Sequence, residues 1–240
     1  MAVEPSILAL RDVHAGYGDI EILRGIDLEL PQGTMTAVIG SNGAGKSTLL
    51  KTIFGSVGTS SGTIEYLGQD ITGLAPTDRL RRGLVLIPQG RSNFPEMTVE
   101  ENLEMGAFIR NDPEVSRDIN ANYERFPLLR ERRHQQAGNL SGGEQQMLEM
   151  AMALMLSPKL ALVDEPSLGL SAGVQATVFD SIGELRRAGT TVLMVEQNAV
   201  QALKISDAGI VIELGRVSAR GSGVDMLNDP DVRRAYLGLA

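Results

Sequence analysis

The chain has no cysteine, no tryptophan and few other aromatic residues. Its 240 residues include only four Tyr and five Phe, whereas 42% of the residues are hydrophobic. Without cysteine there is neither a disulfide nor thiol chemistry, which fits a reducing compartment. Because aromatic rings are so scarce, we expect a core of Leu, Ile, Val, Ala and the ten Met residues.

Long apolar runs and an excess of positive charge are also missing. No apolar run approaches the roughly 18 residues that span a bilayer, and residues 1–5 lack the basic start and apolar core of a signal peptide. We therefore expect a soluble chain that needs other subunits to hold it at a membrane. The formal net charge of −8 argues against a nucleic-acid partner, because such domains usually carry a basic surface.

A glycine-rich run carries the most specific information in the sequence. It reads Gly40-Ser41-Asn42-Gly43-Ala44-Gly45-Lys46-Ser47 and fits G-x-x-x-x-G-K-[ST], the phosphate-binding loop. An apolar run at 36–39 precedes it and a helix-compatible run at 48–54 follows, which is the context that such a loop requires. Lys46 is expected to reach the β- and γ-phosphates of a nucleotide, and Ser47 to ligate Mg²⁺. The alternative is a glycine-rich turn before an ordinary helix.

Hydrophobic patterning divides the rest of the chain into strands and helices. It predicts strands at 7–10, 26–30, 34–39, 63–66, 84–87, 160–163, 190–195 and 209–214. Helical periodicity and capping signals predict helices near 47–54, from 98, from 112, at 141–157 and at about 174–188. We predict a single α/β domain, 1–240, with a catalytic core at about 1–90 and 159–240 and an inserted helical subdomain at about 91–158.

Two acidic residues follow the apolar run 160–163. Asp164 ends the predicted strand, where a buried backbone would hold its carboxylate rigidly, and it is expected to bind Mg²⁺ directly or through water. Glu165 comes next and would polarise a water molecule for attack on the γ-phosphate. The alternative is an ordinary strand with acidic residues at its end.

The run Leu140-Ser141-Gly142-Gly143-Glu144-Gln145-Gln146 admits two interpretations. Ser141 and Glu144 have the spacing of a capping box, in which the glycines only loosen the turn. Alternatively, the Ser141 hydroxyl, the N–H groups of Gly142 and Gly143 and the helix N-terminus form a second phosphate site. One chain cannot easily bring this run to the phosphate held by residues 40–47, whereas two chains packed head to tail can.

Together these motifs resemble the nucleotide-binding subunit of an ATP-binding-cassette (ABC) transporter. Residues 40–47 match its Walker A motif, 160–164 its Walker B motif and 140–145 its LSGGQ-like signature, in the family's order and spacing. Gln89 matches the Q-loop glutamine, and Tyr17 matches the aromatic residue that stacks on adenine. The resemblance covers essentially the whole chain.

The resemblance implies an ABC-ATPase fold of the P-loop NTPase class, with a RecA-like mixed-sheet core, an N-terminal antiparallel β subdomain and an inserted α-helical subdomain. The ATP-binding set that it implies is Tyr17, Gly40, Ser41, Asn42, Gly43, Ala44, Gly45, Lys46, Ser47, Thr48, Gln89, Ser141, Gly142 and Gly143. The implied Mg²⁺ ligands are Ser47, Gln89 and Asp164. In the implied chemistry Glu165 deprotonates the attacking water, and Gln197 senses the γ-phosphate.

Two positions differ from the general cassette pattern. The switch position, which is usually His, is Gln197, and Gln donates a hydrogen bond but carries no positive charge near neutral pH. The loop after Glu165 usually holds an Asp, and Ser171 stands there in this chain. A serine at that position still forms hydrogen bonds across a dimer interface, without charge.

Longer runs narrow the resemblance to the hydrophobic and branched-chain amino acid uptake family, in its shorter ATPase subunit (the LivF type). These runs are 94–103, 140–148, 164–170 and 195–198. The implied function is the ATP-hydrolysing motor of an importer for such amino acids. Pro88-Gln89-Gly90-Arg91 also resembles a related subunit that serves urea or short amides, so that cargo stays an alternative.

Two rival classes are an ABC ATPase without transport and a P-loop small-molecule kinase. The first usually has two cassettes in one chain or long coiled-coil insertions, and neither is visible in this sequence. A kinase has no use for the signature run 140–145 or for a glutamate directly after Asp164.

The resemblance also implies partners and a location. The second ABC ATPase subunit is either another copy of this chain or a different chain, and it supplies its own residues equivalent to 141–143. Two transmembrane permease subunits are expected to contact a groove near 89–104, and a substrate-binding protein acts indirectly through them. The implied location is peripheral, on the cytoplasmic face of the inner membrane.

Overall fold

The computed structural model describes residues 6–110 and 112–237. Residues 1–5, on which the expectation of no signal peptide rests, lie outside the described residues. The strands are β1 (Ser6–Tyr17), β2 (Ile20–Pro31), β3 (Met35–Ile39), β4 (Thr59–Tyr66), β5 (Gln69–Asp70), β6 (Leu84–Ile87), β7 (Leu160–Asp164), β8 (Thr191–Val195), β9 (Ala208–Glu213) and β10 (Arg216–Ser222).

Helices occupy most of the remaining described chain. They are α1 (Lys46–Phe54), α2 (Pro76–Arg81), α3 (Val99–Gly106), α4 (Val115–Arg125), α5 (Pro127–Glu131), α6 (Gly142–Leu154), α7 (Ala172–Arg187), α8 (Ala199–Ile205), α9 (Gly223–Asn228) and α10 (Pro230–Val232). A 3₁₀ turn covers Ala137–Asn139, and a π-helical turn covers Arg233–Leu237. None of the described helices is both long enough and apolar enough to cross a membrane.

The described strands form two sheets of different type. One is antiparallel, in the order β2-β1-β4-β5, and the other has six strands in the order β10-β9-β3-β8-β7-β6. In the second sheet all neighbours from β9 to β6 are parallel, and only β10 is antiparallel. The carboxyl ends of β3, β6, β7 and β8 therefore meet at one edge, which is where ligands bind in sheets of this kind.

The three central strands are buried on both faces. Every residue of β3, β7 and β8 is buried, which explains why their sequences are continuous apolar runs. Because successive side chains point to opposite faces, Met35, Ala37 and Ile39 pack into one apolar core with α3 to α8. Val38 packs into a second core with α1 and the antiparallel sheet. The six-stranded sheet thus separates two aliphatic cores and is held rigidly by both.

Several elements are longer, shorter or additional compared with the sequence predictions. The strands predicted at 7–10 and 26–30 are parts of β1 and β2, whose hairpin pairing continues across register shifts. The helix predicted to end at 157 ends at Leu154. Patterning missed the short elements α2, α8, α9 and β10, because six or seven residues give little periodic signal. The three helices form by packing against strands of the sheet, and β10 forms by pairing with β9.

The segment between β6 and β7 is helical, and its local signals work as predicted. Thr98 caps α3 in a capping box: its Oγ1 accepts from the Glu101 N–H at 3.2 Å, and a Glu101 carboxylate oxygen accepts from the Thr98 N–H at 2.7 Å. The Thr98 N–H and hydroxyl both donate to the Glu101 carboxylate, and these two hydrogen bonds lower the pKa of Glu101. The predicted helix from 112 begins at Val115, after Glu114 at its N-cap.

Arg79 is a buried arginine that holds the end of α1. Its guanidinium donates to the carbonyls of Thr52 and Ile53 at 3.0 and 2.7 Å, and also to those of Leu74 and Thr72. The side chain is only 2% exposed, and burial lowers its pKa. A cation placed at the carbonyl end of a helix is favourable, and the bonds to Thr52 and Ile53 are buried, so losing their donor is costly.

We expect Arg79→Met to destabilise the fold by roughly 3 kcal/mol, because several buried carbonyls lose their donor together. The measurement is the urea midpoint of unfolding followed by circular dichroism. Arg81→Met, which removes an arginine exposed on the same helix, is the control and should leave the midpoint nearly unchanged. Equal midpoints for Arg79→Met and the wild-type chain would contradict this assignment.

Candidate functional site

The glycine-rich run forms a tight loop between β3 and α1. A Cβ atom at Gly40 would lie 2.2 Å from the carbonyl oxygen of Ile212, so only glycine fits the close approach of β9. Gly45 has a φ of 108° and forms the N-cap of α1 without any side-chain cap. The first N–H groups of α1 therefore point into the loop without a capping side chain, which suits an anion.

Lys46 places a positive charge inside this loop. Its side chain is only 4% exposed, and Nζ donates to the carbonyls of Gly40 and Ser41 at 2.9 and 3.1 Å. Nζ also lies 4.0 Å from Oε1 of Glu165. The loop thus holds a nearly buried ammonium group whose hydrogen bonds go mostly to carbonyls, so that much of its charge remains for a phosphate.

Ser47 and Asp164 meet although 117 residues separate them. The Ser47 hydroxyl donates to Oδ1 of Asp164 at 2.8 Å, because β7 ends beside the first turn of α1. Burial raises the pKa of Asp164, and the hydrogen bond from Ser47 opposes that shift. A hydroxyl and a carboxylate are hard oxygen donors, and Mg²⁺ in proteins commonly binds one or two carboxylates together with waters and substrate phosphates. This pair therefore fits the predicted ion.

Glu165 adopts a strained backbone conformation directly after β7. Its φ is 44°, in the left-handed region that few side chains adopt, and its N–H donates to the Val195 carbonyl at 2.9 Å. This turn brings the carboxylate beside Lys46 and within 3.3 Å of the Gln89 amide nitrogen, which donates to Oε2. Burial raises the pKa of Glu165, and Lys46 opposes the shift.

Lys46, Ser47, Gln89 and Glu165 line one cleft of about 440 Å³ at the carboxyl edge of the parallel strands. Asp164 is not part of the lining and is linked to the cleft through its hydrogen bond from Ser47. Its lining residues are Ile22, Asn42, Gly43, Gly45, Lys46, Ser47, Thr48, Gln89, Glu165, Leu168 and Gln197. Ile22 and Leu168 escaped the sequence prediction. Leu168 could have been found from the sequence, since it lies in the run 164–170 that carries the family resemblance. Its side chain is half exposed although it is apolar. A phosphate loop, a lysine and a proton acceptor thus share one space, which suits nucleotide hydrolysis.

Comparison with known proteins identifies the class of this site. The family model described as ABC transporter matches residues 23–168, from within β2 into the loop after Glu165. This chain belongs to the ABC transporter family. The assignment confirms the ABC-ATPase fold and the class of transport ATPase that the motifs predicted, and it disfavours the kinase alternative.

Two relatives of this cassette align over nearly its whole length. The high-affinity branched-chain amino acid transport ATP-binding protein BraG of Pseudomonas aeruginosa is 45% identical over 97% of this chain and 100% of its own length. The probable branched-chain amino acid transport ATP-binding protein LivF of Archaeoglobus fulgidus is 40% identical over 95% of this chain and 97% of its own. A solved ATP-binding cassette of an ABC transporter in its ADP conformation superimposes with a TM-score of 0.87 at 29% identity, over 98% of this chain and 99% of that one.

Some predicted ATP-binding residues of the cassette do not line the cleft. Gly40, Ser41 and Ala44 belong to the same loop but are not part of the cleft lining. The carbonyls of Gly40 and Ser41 accept from Lys46, and the Ala44 N–H donates to the Ser41 carbonyl within the loop. Tyr17 lies at the tip of the β1–β2 hairpin and is half exposed. Tyr17 pairs with Ile20, and Ile22, two residues further along β2, does line the cleft, so this hairpin forms part of the cleft wall.

The signature run lies apart from the cleft, at the start of α6. None of Ser141, Gly142 and Gly143 contributes to the cleft lining. Ser141 forms a capping box with Glu144: the Glu144 N–H donates to Ser141 Oγ at 3.4 Å, and Glu144 Oε2 accepts from the Ser141 N–H at 2.6 Å. The capping box is therefore formed in the single cassette, and it leaves the Ser141 hydroxyl proton available. The glycines do more than loosen the turn, because a Cβ at Gly143 would lie 2.5 Å from Cγ1 of Val174 on α7.

Gln197 lines the cleft and lies in a loop whose backbone is held by the buried carboxylate of Glu196. Glu196 is 1% exposed, and its Oε2 accepts from the N–H groups of Gln197 and Asn198 at 3.0 and 3.2 Å. Its Oε1 accepts from the Ser167 N–H at 2.9 Å, which ties this loop to the one after Glu165. Sequence reasoning missed Glu196, although an acidic residue directly after a buried strand is the same signal that identified Asp164.

Proposed function

We propose that this chain is the ATP-hydrolysing motor of an importer for branched-chain or other hydrophobic amino acids. The proposed ATP hydrolysis is supported by the position of Glu165 and Gln89, which share one cleft with Lys46 and Ser47. The cargo class rests on two relatives, at 45% and 40% identity, that are named as branched-chain amino acid transport proteins.

In the proposed mechanism, the loop binds the phosphates of ATP and the hairpin carrying Tyr17 receives the base. The N–H groups at the start of α1 and the Lys46 ammonium hold the β- and γ-phosphates. When bound by Ser47, Asp164 and the Gln89 amide oxygen, Mg²⁺ supplies charge neutralisation on the phosphate oxygens. Glu165 accepts a proton from the attacking water, and its raised pKa makes it a stronger base than an ordinary glutamate. Gln197 donates a hydrogen bond toward the γ-phosphate.

A second cassette completes the site in this proposal. The run 141–143 lies outside the chain's own cleft but keeps the features of a phosphate site: a serine hydroxyl, two glycine N–H groups and the N-terminus of the 13-residue helix α6. Head-to-tail packing places it over the γ-phosphate held by another chain, either a second copy or a different ATPase subunit. Closure of this pair on ATP and its reopening after hydrolysis provide the movement.

The permease subunits dock where the segment after Gln89 leaves large apolar side chains in solvent. Phe94, Phe108 and Ile109 are 42%, 77% and 44% exposed, in a protein that has few aromatic residues. Contiguous exposed apolar patches mark interaction surfaces, and in this proposal Phe94, Phe108 and Ile109, which flank α3 in the sequence, belong to one such surface. Movement of Gln89 would thus reach the permeases directly. This arrangement makes the chain a peripheral subunit on the cytoplasmic face of the inner membrane, with a substrate-binding protein acting through the permeases.

The test is reconstitution of the chain with the permease subunits that co-purify with it from membranes. We expect ATP hydrolysis by the proteoliposomes to rise severalfold when a binding protein loaded with leucine, isoleucine or valine is added. The same assay with urea or a short amide examines the alternative cargo. Stimulation by urea alone would overturn the amino-acid assignment. Recovery of ribosomes or DNA in place of permeases would overturn the transport role.

A further inference from the structure

A buried glutamate on α6 has no role in the mechanism above. Glu149 lies two turns into the helix that begins with the signature run, and it is 2% exposed. Its Oε1 accepts from the Ser92 N–H at 2.7 Å and from the Asn93 side-chain amide at 3.1 Å. Both partners belong to the segment that directly follows Gln89, 56 and 57 residues away along the chain.

Burying a carboxylate at this position is costly. No cation pairs with it among the described residues, and its Oε2 is buried without a hydrogen-bond partner there. Burial raises the pKa of Glu149, and the two donors only oppose that shift. An apolar side chain of similar volume would occupy this buried position at lower cost. The burial of Glu149 is therefore locally unfavourable, and its structural effect is to fix the backbone at Ser92.

The contacts form a continuous path from the signature helix to the cleft. On α6, Gln146 donates to the Gly90 carbonyl at 3.4 Å, and Glu149 holds Ser92 and Asn93. Gln89, at the near end of this segment, donates to Glu165 at 3.3 Å. The hydrogen bonds from α6 thus hold the conformation of the segment 90–93. Because Gln89 directly precedes this segment, that conformation sets the position of the Gln89 side chain.

We propose that Glu149 is a positioning residue that fixes Gln89 in the cleft from the helix that starts with the signature run. This inference rests on the proposed function, because it needs Gln89 to act in hydrolysis. The consequence is a coupling between the two sites. When 141–143 bind the phosphate held by the second cassette, α6 moves, and Glu149 transmits this movement to Gln89 and Glu165 of its own site. Occupancy of one site then alters the geometry of the other.

The first experiment measures hydrogen exchange of the Ser92 amide in the full-length chain. In Glu149→Ala the amide loses its acceptor, and we expect its exchange to accelerate by at least about tenfold. In Glu149→Gln the side-chain oxygen still accepts, so exchange should stay close to wild type. The amide of Glu101, which Thr98 caps at the start of α3, serves as the internal control. Unchanged Ser92 exchange in Glu149→Ala overturns the proposal, whatever the hydrolytic activity.

The second experiment is a double-mutant cycle in ATP hydrolysis. Displacement of a group outside the reacting atoms can lower kcat by about 10- to 100-fold, and we expect this for Glu149→Ala with a smaller change in KM. Because Glu149 acts through Gln89, adding Glu149→Ala to Gln89→Ala should lower kcat no further. Additive losses would show a general effect on folding and overturn the proposal. Glu149→Gln should restore most of the activity.

A matched control variant separates the effect of Glu149 on the position of Gln89 from its effect on the stability of the fold. Asn122 is also a buried polar residue of the helical segment, and its side chain bonds to Asp118 and Met155, away from the cleft. Asn122→Ala should lower the melting temperature as Glu149→Ala does, with kcat unchanged.

If the wild-type chain hydrolyses no ATP, the proposed function fails and this inference fails with it. If the wild-type chain hydrolyses ATP and only the cycle is additive, the inference alone is wrong.

Discussion

Glu165→Gln is expected to bind ATP as tightly as the wild-type chain while its hydrolysis falls by about 10²- to 10⁴-fold, the range that a general base contributes. The amide keeps the volume of the carboxylate but cannot accept a proton from water. Binding is retained because Lys46 and the loop N–H groups, which hold the phosphates in our proposal, are unchanged. With ATP bound and not consumed, the closed pair of cassettes should accumulate. The measurements are phosphate release, equilibrium nucleotide binding and molar mass by light scattering in the presence of ATP.

The control for this variant is Glu65→Gln, which neutralises an exposed glutamate on β4 of the antiparallel sheet. It should hydrolyse ATP at the wild-type rate and show no additional dimer. Wild-type turnover in Glu165→Gln would mean that another group activates the water. In that case Glu165 would only position Gln89 and Lys46, the two side chains it contacts.

Lys46→Ala is expected to weaken ATP binding by at least about 100-fold and to abolish measurable hydrolysis, since one charge-assisted phosphate contact in a water-poor site contributes about 3 kcal/mol. The ammonium group is nearly buried between the loop and Glu165, and no other described residue of the cleft lining carries a positive charge that could replace it. Titration calorimetry with ATP measures the affinity, and phosphate release measures the activity.

The variant must also be shown to fold, because Lys46 donates to two loop carbonyls. A circular-dichroism spectrum and a melting curve supply that check. Lys204→Ala, which removes an exposed lysine near the end of α8, is the charge-matched control and should bind ATP normally. ATP affinity that survives in a folded Lys46→Ala variant would contradict the phosphate role of the loop. Together, Lys46→Ala and Glu165→Gln separate binding from chemistry.

The phosphate loop was predictable because its chemistry is local. Eight consecutive residues contain the glycines that the backbone path needs, the lysine and the first serine of the helix. The same holds for Thr98 and Ser141, whose capping boxes close within four residues and form as predicted. Asp164 was also accessible, since a buried strand followed by an acidic residue is visible in the sequence. The functional roles assigned to these residues stay predictions until the variants are measured.

Other parts of the site depend on contacts that no local pattern encodes. Ile22 reaches the cleft only because the β1–β2 hairpin packs beside the loop, and Leu168 only because the chain turns at Glu165. Glu196 and Glu149 look like ordinary acidic residues in the sequence, and only burial reveals them as anchors of neighbouring loops. The short elements α2 and α8 likewise form because the sheet covers one of their sides.

The family, the phosphate loop and the pair of acidic residues were predictable from the amino-acid sequence, because each is a short pattern whose backbone conformation and chemistry arise among near neighbours. Which of these groups meet depends on the folded chain. Ser47 and Asp164 are 117 residues apart, and Ser92 and Glu149 are 57 apart, yet each pair is hydrogen-bonded. Such contacts follow from the order of parallel strands and from the packing of two cores on one sheet, and these are properties of the whole chain.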